Sequence, residues 1–336
     1  MMAIIFRIRY FIYIYWIAIR EIFKGIFHKD RNIYDVGLDS QKFDVGKQES
    51  RCVAIVTGGS KGIGYEVCLQ LSFRENYHVI IASHCDEEGE AAVKNIKNIN
   101  PQSSVEFQSL DLADFDSVND FVRRFKRRKI GLNLLVNNAG IMIPKYGVTK
   151  QGFESQFGVN YLGHFLLTQL LLDCLKTSAS DQFQSRIVNV SSVVHEMGYI
   201  NFEDLQARRS YSAHFSYSQS KIALILYTYE LQRRLENCNV VVNCVNPGVV
   251  YTSLYQHAWA YKLMQFIGRY FMLTPKEGSA TILYAALSPE CSSRSCSYYD
   301  NCTRVPSSPL TYDIHLQNEL WYLSHHLTQL HPMDKS

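Results

Sequence analysis

The stretch CVAIVTGGSKGIG, residues 52–64, constrains the fold more than any other part of the chain. Cys52 to Thr57 is an uninterrupted β-prone apolar run, as a strand buried on both faces requires, and glycine follows at once. Gly58, Gly62 and Gly64 then offer a tight turn, a close backbone approach and close helix packing. A helix starting near Gly62 would aim its amide dipoles at a bound anion. A glycine-rich turn alone is a weak signal. Between a strand and a helix at the start of a domain, it predicts a dinucleotide site.

The rest of the chain repeats the alternation. Strands are expected near 77–82, 105–110, 132–136, 187–190 and 240–245, with helical stretches between them. That order predicts an α/β fold, a doubly wound Rossmann-type parallel sheet with helices on both faces, built as a single domain. The expected division is an N-terminal segment over 1–29, a linker over 30–50, the main domain over 51–305 and a C-terminal helix and tail over 306–336. Hydrophobic residues make up 47% of the chain and charged residues 19%, with a formal net charge of +3, so the chain can build an ordinary core. This balance argues against disorder and against nucleic acid as a partner. The basic run FVRRFKRRK, 121–129, reads as a solvated helix face.

Nine cysteines are present, and Cys52, Cys68, Cys85, Cys174 and Cys244 fall in or beside predicted strands and helices, as reduced thiols do. Cys291, Cys296 and Cys302 lack the spacing of a zinc site, so no metal is expected and a surface loop is the simpler reading.

In MMAIIFRIRYFIYIYWIAIREIFKGIF, the uncharged apolar stretch is shorter than the roughly 20 residues of a simple spanning helix. On a helical wheel at about 100° per residue, Arg7, Arg9, Arg20, Glu21 and Lys24 share one face and leave the other to Ile, Phe and Trp16. The segment therefore suits a helix lying in a membrane interface, although snorkelling arginines would let a longer segment cross. A membrane surface is an expected partner.

Two segments share a Tyr-x-x-x-Lys spacing: YGVTK, with Tyr146 and Lys150, and YSQSK, with Tyr217 and Lys221. The first lies in a loop with Pro144 and Gly147, where nothing holds the lysine one helical turn from the tyrosine. The second lies in a helical stretch over 215–235, where a spacing of four puts both side chains on one face. A tyrosine with an ordinary pKa near 10 is a poor base, and a neighbouring ammonium is expected to lower it. Tyr217 would then exchange a proton with a substrate oxygen. Tyr146 becomes a loop aromatic, a candidate for the pocket wall.

Four motifs now stand in order: TGGSKGIG (Thr57, Gly58, Ser60, Lys61, Gly62, Ile63, Gly64), NNAG (Asn138, Ala139, Gly140), YSQSK, and NPGVVYT (Pro247, Gly248, Val250, Thr252). In that order they resemble the short-chain dehydrogenases/reductases over roughly 51–288. FGVNYLGHFLLTQLLL and RIVNVSSVVH are similar to the retinol dehydrogenase branch. The resemblance implies an oxidoreductase with NAD(P), catalytic roles for Ser192, Tyr217, Lys221 and Asn160, adenine contacts from Asp111 and Leu112, and a carboxamide contact from Thr252. Ser191 stays open as the alternative to Ser192. The second strand ends in IIASHC with no acid at Ser83 or His84, while Lys61 lies inside the phosphate turn, which favours NADP over NAD.

After Gly248 the family inserts a segment covering the substrate, here about 249–275 and strongly apolar. With the N-terminal face, it points to a lipophilic small-molecule substrate. Long isoprenoid alcohols such as polyprenols come first, retinoids second and steroids third. The expected location is the endoplasmic reticulum membrane or a lipid droplet, with the catalytic domain in the cytosol. A non-catalytic lipid-binding scaffold on the same fold is the competing reading, and it should have lost part of the Ser-Tyr-Lys set. The stretch 288–301 lacks the glycine that the family places before its last edge strand, which puts that edge in doubt. The amphipathic 312–327 reads as a packing or homodimer helix.

Overall fold

The computed structural model describes residues 16, 17, 19–21, 51–180, 183–257, 271–292 and 296–330. Most of the expected anchor, the whole linker, the middle of the covering segment at 258–270 and the tail from 331 lie outside the described residues. Among the described residues, no helix is long and apolar enough to cross a membrane.

The order of elements follows the predicted alternation. Strand β1 (Cys52–Thr57) leads into α1 (Gly62–Ser72), then β2 (Tyr77–Ser83), α2 (Asp86–Ile99), β3 (Ser104–Ser109), α3 (Phe115–Arg127) and β4 (Leu134–Asn137). The second half carries α4 (Gly163–Ser178), β5 (Ser185–Val190), α5 (Ala213–Arg234), β6 (Val240–Asn246), α6 (Pro275–Leu287), β7 (Tyr298–Asp300), β8 (Thr303–Val305) and α7 (Ile314–Leu327). Among the described residues, the strands form one sheet in the order β3-β2-β1-β4-β5-β6-β7-β8. Every pairing is parallel except β7 with β8.

Side chains alternate across β1, so the sheet separates two cores. Val53 and Ile55 face a core shared with α3, α4, α5 and α7. Cys52, Ala54 and Val56 face the other, shared with α1, α2 and α6. The run 121–129 behaves as an amphipathic face: Phe121, Val122 and Phe125 are buried while Arg123 and Arg127 remain exposed. Helix α7 is part of the main core, because Trp321 is buried against Phe165 and stacks on Tyr227 with 6.0 Å between ring centroids.

The doubtful edge forms without glycine. Asn301 and Cys302 both take positive φ (48° and 55°), giving the two-residue turn that joins β7 to β8. Asparagine tolerates this region; cysteine does so under constraint from the hairpin. The surface-loop reading of the three cysteines needs correction: Cys291 is fully buried against Tyr299 and α6, and Cys302 packs on the same core. The short edge needs apolar anchors on its inner face, and these thiols supply them.

Candidate active site

The first βα turn faces open space. A Cβ on Gly64 would come within 2.3 Å of the Gly58 carbonyl oxygen, so only glycine lets α1 start this close to β1. Gly62, at φ +59°, has nothing nearer to such an atom than Thr252, 3.4 Å away across the cleft. Lys61 at the start of α1 makes no side-chain cap, so first-turn amides of α1 are left for an anion. These features fit the pyrophosphate of a dinucleotide.

The cleft opens at the C-terminal ends of β1 and β4, where strand order reverses and such sheets bind ligands. One cavity of about 500 Å³ is lined by Thr57, Gly58, Ser60, Lys61, Gly62, Ile63, Gly64, His84, Asp111, Leu112, Asn138, Ala139, Gly140, Ser192, Tyr217, Lys221, Pro247, Gly248, Val250 and Thr252. Of the predicted site residues, Asn160 is the exception and does not reach this wall. Residues that none of the four motifs contains also line the cavity, among them Met142, Ile143, Val193, His214, Tyr255 and Ile17. No spacing motif marks them: Met142, Ile143, Val193 and His214 lie beside motif residues without sharing their pattern, and Ile17 and Tyr255 reach the wall from other parts of the chain.

Helix α5 carries Tyr217 and Lys221 one turn apart, and the Ser212 side chain caps its N-terminus. Lys221 Nζ donates to the Val190 carbonyl at 2.9 Å and lies 5.5 Å from the centre of the Tyr217 ring. Burial pulls the Lys221 ammonium down to about 8. Tyr217 does not show the expected lowering. Burial pushes its phenol well above the usual range, Tyr255 adds to the effect, and a hydrogen bond with Ser192 opposes it. Desolvation of the phenolate outweighs a lysine whose ammonium is committed to a backbone carbonyl and is itself easily deprotonated.

The two serines are separated by their partners. Ser191 Oγ donates to the Lys221 carbonyl at 2.8 Å and so ties β5 to α5. Ser192 hydrogen-bonds Tyr217. The turn after it, Val193–Met197, is pinned by His195, which is buried. The Ser192 carbonyl accepts from His195 Nδ1 at 2.8 Å, and Nε2 accepts from the Ser308 amide at 3.1 Å, so one tautomer satisfies both bonds. Burial lowers the His195 pKa, keeping the ring neutral.

Asn160 lies in a π-helical turn, Gly158–Leu162, at the start of α4. Its side-chain oxygen accepts from the Ile141 amide at 2.8 Å, and its amide group donates to the Ile141 carbonyl and to Ser220 Oγ, both at 3.0 Å. The side chain is thus committed to these partners, and the main-chain carbonyl is engaged as well. That carbonyl accepts from His164 Nδ1 at 2.9 Å, while Nε2 of the same ring accepts from Thr57 Oγ1 at 2.8 Å. His164 is buried and held down to about 4 by desolvation, so it stays neutral. Thr57 Oγ1 in turn accepts from the Asn138 and Ala139 amides at 2.9 and 3.0 Å. One network therefore joins the glycine turn, the NNAG turn and the π-turn.

The other Tyr-x-x-x-Lys segment is elsewhere. Tyr146 packs edge-on to Tyr211 with 5.2 Å between centroids and does not line the cavity, which corrects its candidacy for the pocket wall. Lys150 pairs with Asp114 at 2.8 Å and Asp116 at 2.9 Å.

Comparison with known proteins agrees with this geometry. The family model described as short chain dehydrogenase matches residues 52–262. Human polyprenol dehydrogenase is 45% identical over 280 residues, covering 82% of this chain and 84% of that protein. Human retinol dehydrogenase 12 is 39% identical over 272 residues, covering 81% and 84%. Among solved structures, an uncharacterized protein from Mycobacterium paratuberculosis superposes with a TM-score of 0.66 at 34% identity, covering 84% of this chain and 96% of that one. The fold is also that of a Brucella melitensis 3-oxoacyl-[acyl-carrier protein] reductase in complex with NAD, at a TM-score of 0.59 and 22% identity, covering 76% and 96%.

Proposed function

The chain belongs to the short chain dehydrogenase family, and from that premise we propose that it interconverts a long isoprenoid alcohol and its aldehyde at a membrane surface. It is an oxidoreductase acting on CH–OH groups. The observation that carries the reading is the meeting of Ser192, Tyr217 and Lys221 with the glycine turn in one cavity. Human polyprenol dehydrogenase supports the isoprenoid substrate, as do apolar lining residues such as Met142, Ile143 and Val193. Retinol is the second reading, favoured by the similarity to human retinol dehydrogenase 12.

The glycine turn, the NNAG turn and the loop after β6 would hold a nicotinamide dinucleotide, which when bound supplies or accepts the hydride at the carbon bearing the substrate oxygen. Ser192 would orient that oxygen by a hydrogen bond. Tyr217 would give its proton to the oxygen during reduction, the direction for which a neutral phenol is poised, and take it back during oxidation. Lys221 would pass protons between Tyr217 and solvent through a water that Asn160 would position.

We assign NADP as the preferred cofactor, because Lys61 lies in the turn that would meet a 2′-phosphate. Its present partner is Glu88, at 2.9 Å, an acid on α2 that lies beyond the end of β2. Both side chains are substantially exposed, so their pairing is worth about 0.5 kcal/mol. A charge-assisted bond to phosphate is worth about 1.5–3 kcal/mol and can displace it. Placement at the endoplasmic reticulum membrane or a lipid droplet, with the domain in the cytosol, belongs to the same reading, as does a homodimer.

The test is unbiased. Purified full-length protein is given NADP or NAD and a membrane lipid extract, and mass spectrometry identifies the alcohols that lose two hydrogens. Long isoprenoid alcohols should lead, faster with NADP. Exclusive oxidation of small soluble alcohols would overturn the substrate reading.

A further inference from the structure

The N-terminal segment does more than the sequence pattern implies. Residues 16, 17 and 19–21 are helical, and Ile17 is completely buried. Its side chain lines the same cavity as Ser192 and Tyr217, although it lies in a distant part of the sequence. On the same turn, Trp16 and Ile19 are 51% and 52% exposed. The segment thus has one apolar side chain inside the reaction cavity and large apolar side chains on its outer side.

The turn is fastened next to the chemistry. Arg20 Nη2 donates to Glu196 Oε1 at 3.0 Å, and Glu196 lies on the Val193–Met197 turn that begins beside Ser192. Arg20 also donates to Glu21 at 3.2 Å and lies over the Trp16 ring at 5.5 Å. His195, adjacent to Glu196, holds the Ser192 carbonyl from the inner side. The serine turn is therefore gripped by the N-terminal segment on one flank and by the C-terminal chain at Ser308 on the other.

We propose that this N-terminal turn is a wall of the substrate site, with Ile17 as a residue that determines which alcohols enter and the Arg20–Glu196 pair holding it in register. The inference rests on the isoprenoid reading and deepens it. A segment that only tethers the enzyme needs no side chain in the cavity and no ion pair beside the catalytic serine. A wall needs both, and an outer face bearing Trp16 and Ile19 places the route from a lipid surface into the cavity along one helical turn. Pocket walls of this kind discriminate by shape: one misplaced methylene-sized group changes kcat/KM about 10–200-fold.

The experiment compares kcat/KM for a long and a short isoprenoid alcohol, using the full-length protein in detergent, with NADP affinity by fluorescence titration as the check on folding. Ile17→Trp should lower the long-to-short ratio by about tenfold or more. Ile17→Met, a milder change, should move it about threefold in the same direction. Arg20→Glu and Glu196→Arg should each lower the ratio about two- to threefold, and the double variant should recover most of it, since the pair is partly exposed. If wild-type protein oxidises the long alcohol and both Ile17 variants keep its ratio within twofold, Ile17 is no wall and the inference falls alone. Charge-reversal losses that simply add would remove the role of the ion pair. Wild-type protein inactive on both alcohols would overturn the isoprenoid reading itself, and this inference with it.

Discussion

Tyr146–Lys150 and Tyr217–Lys221 share a spacing and nothing else. The first lysine is exposed and held by two aspartates, which raise its pKa. The second is buried, has a backbone carbonyl as partner, and is lowered to about 8. One tyrosine lies on the surface against Tyr211; the other faces a serine inside a cavity. Spacing places two side chains, but burial decides their proton chemistry. A lysine near its own pKa can give and take protons at working pH, whereas one locked between carboxylates cannot.

The largest contrast should come from removing the hydroxyls. Tyr217→Phe is expected to lower kcat by about 10³-fold or more while cofactor affinity stays within a few fold, because the transferable proton is lost and the glycine turn is intact. Tyr146→Phe should leave kcat within about twofold. Comparable losses in both would break the comparison.

Next in size is the pH response. Lys221 has an ordinary value of 10.5 and a folded value of about 8, so in the free enzyme it loses its charge as pH rises through about 8. If its ammonium helps hold the cofactor, the dissociation constant should rise above that pH, by up to about tenfold per pH unit, until the bound form also titrates. Calorimetric titration from pH 6 to 10 should show this rise in wild type and in Lys150→Met, and a flat profile in Lys221→Met. A slope that survives Lys221→Met would assign the titration to another group.

Lys61 stands between these extremes, exposed like Lys150 and yet at the edge of the cavity like Lys221. Lys61→Glu should shift the NADP-to-NAD preference about tenfold toward NAD. Glu88→Gln should shift it about two- to threefold the other way by releasing the lysine. Paired fluorescence titrations measure both, and an unchanged ratio would show that Lys61 does not read the cofactor. The smallest effect belongs to Lys150→Met, expected to move Tm by less than about 2 °C because its ion pairs are exposed.

How legible each part was follows from the range of its interactions. The β1-turn-α1 unit is local: its strand bounds, its glycines and its uncapped helix start depend on residues within a dozen positions, and the reading of Cys52–Thr57 needed no revision. The helix bearing Tyr217 was legible for the same reason. His164 and His195 were invisible as organisers, since each acts by bonding groups on separate elements, as His195 does with Ser192 and Ser308. Glu88 escaped notice because it follows β2 by a turn, where no spacing rule looks, and meets Lys61 only once α1 and α2 lie side by side. The rise in the Tyr217 pKa, opposite to the lowering that its lysine neighbour suggests, comes from desolvation, which a count of nearby charges omits.

By itself, then, the sequence determined the doubly wound sheet, the strand–glycine turn–helix unit at its start and the placement of Tyr217 and Lys221 on one helix, because periodicity, glycine placement and helical spacing act through contacts close along the chain. The tertiary structure alone decided the different partners of Ser191 and Ser192, the Arg20–Glu196 fastening and the arrival of Ile17 in the cavity. Those contacts join residues tens to more than a hundred positions apart, and their hydrogen bonds, burial and ionisation exist only when folding closes the loops between them.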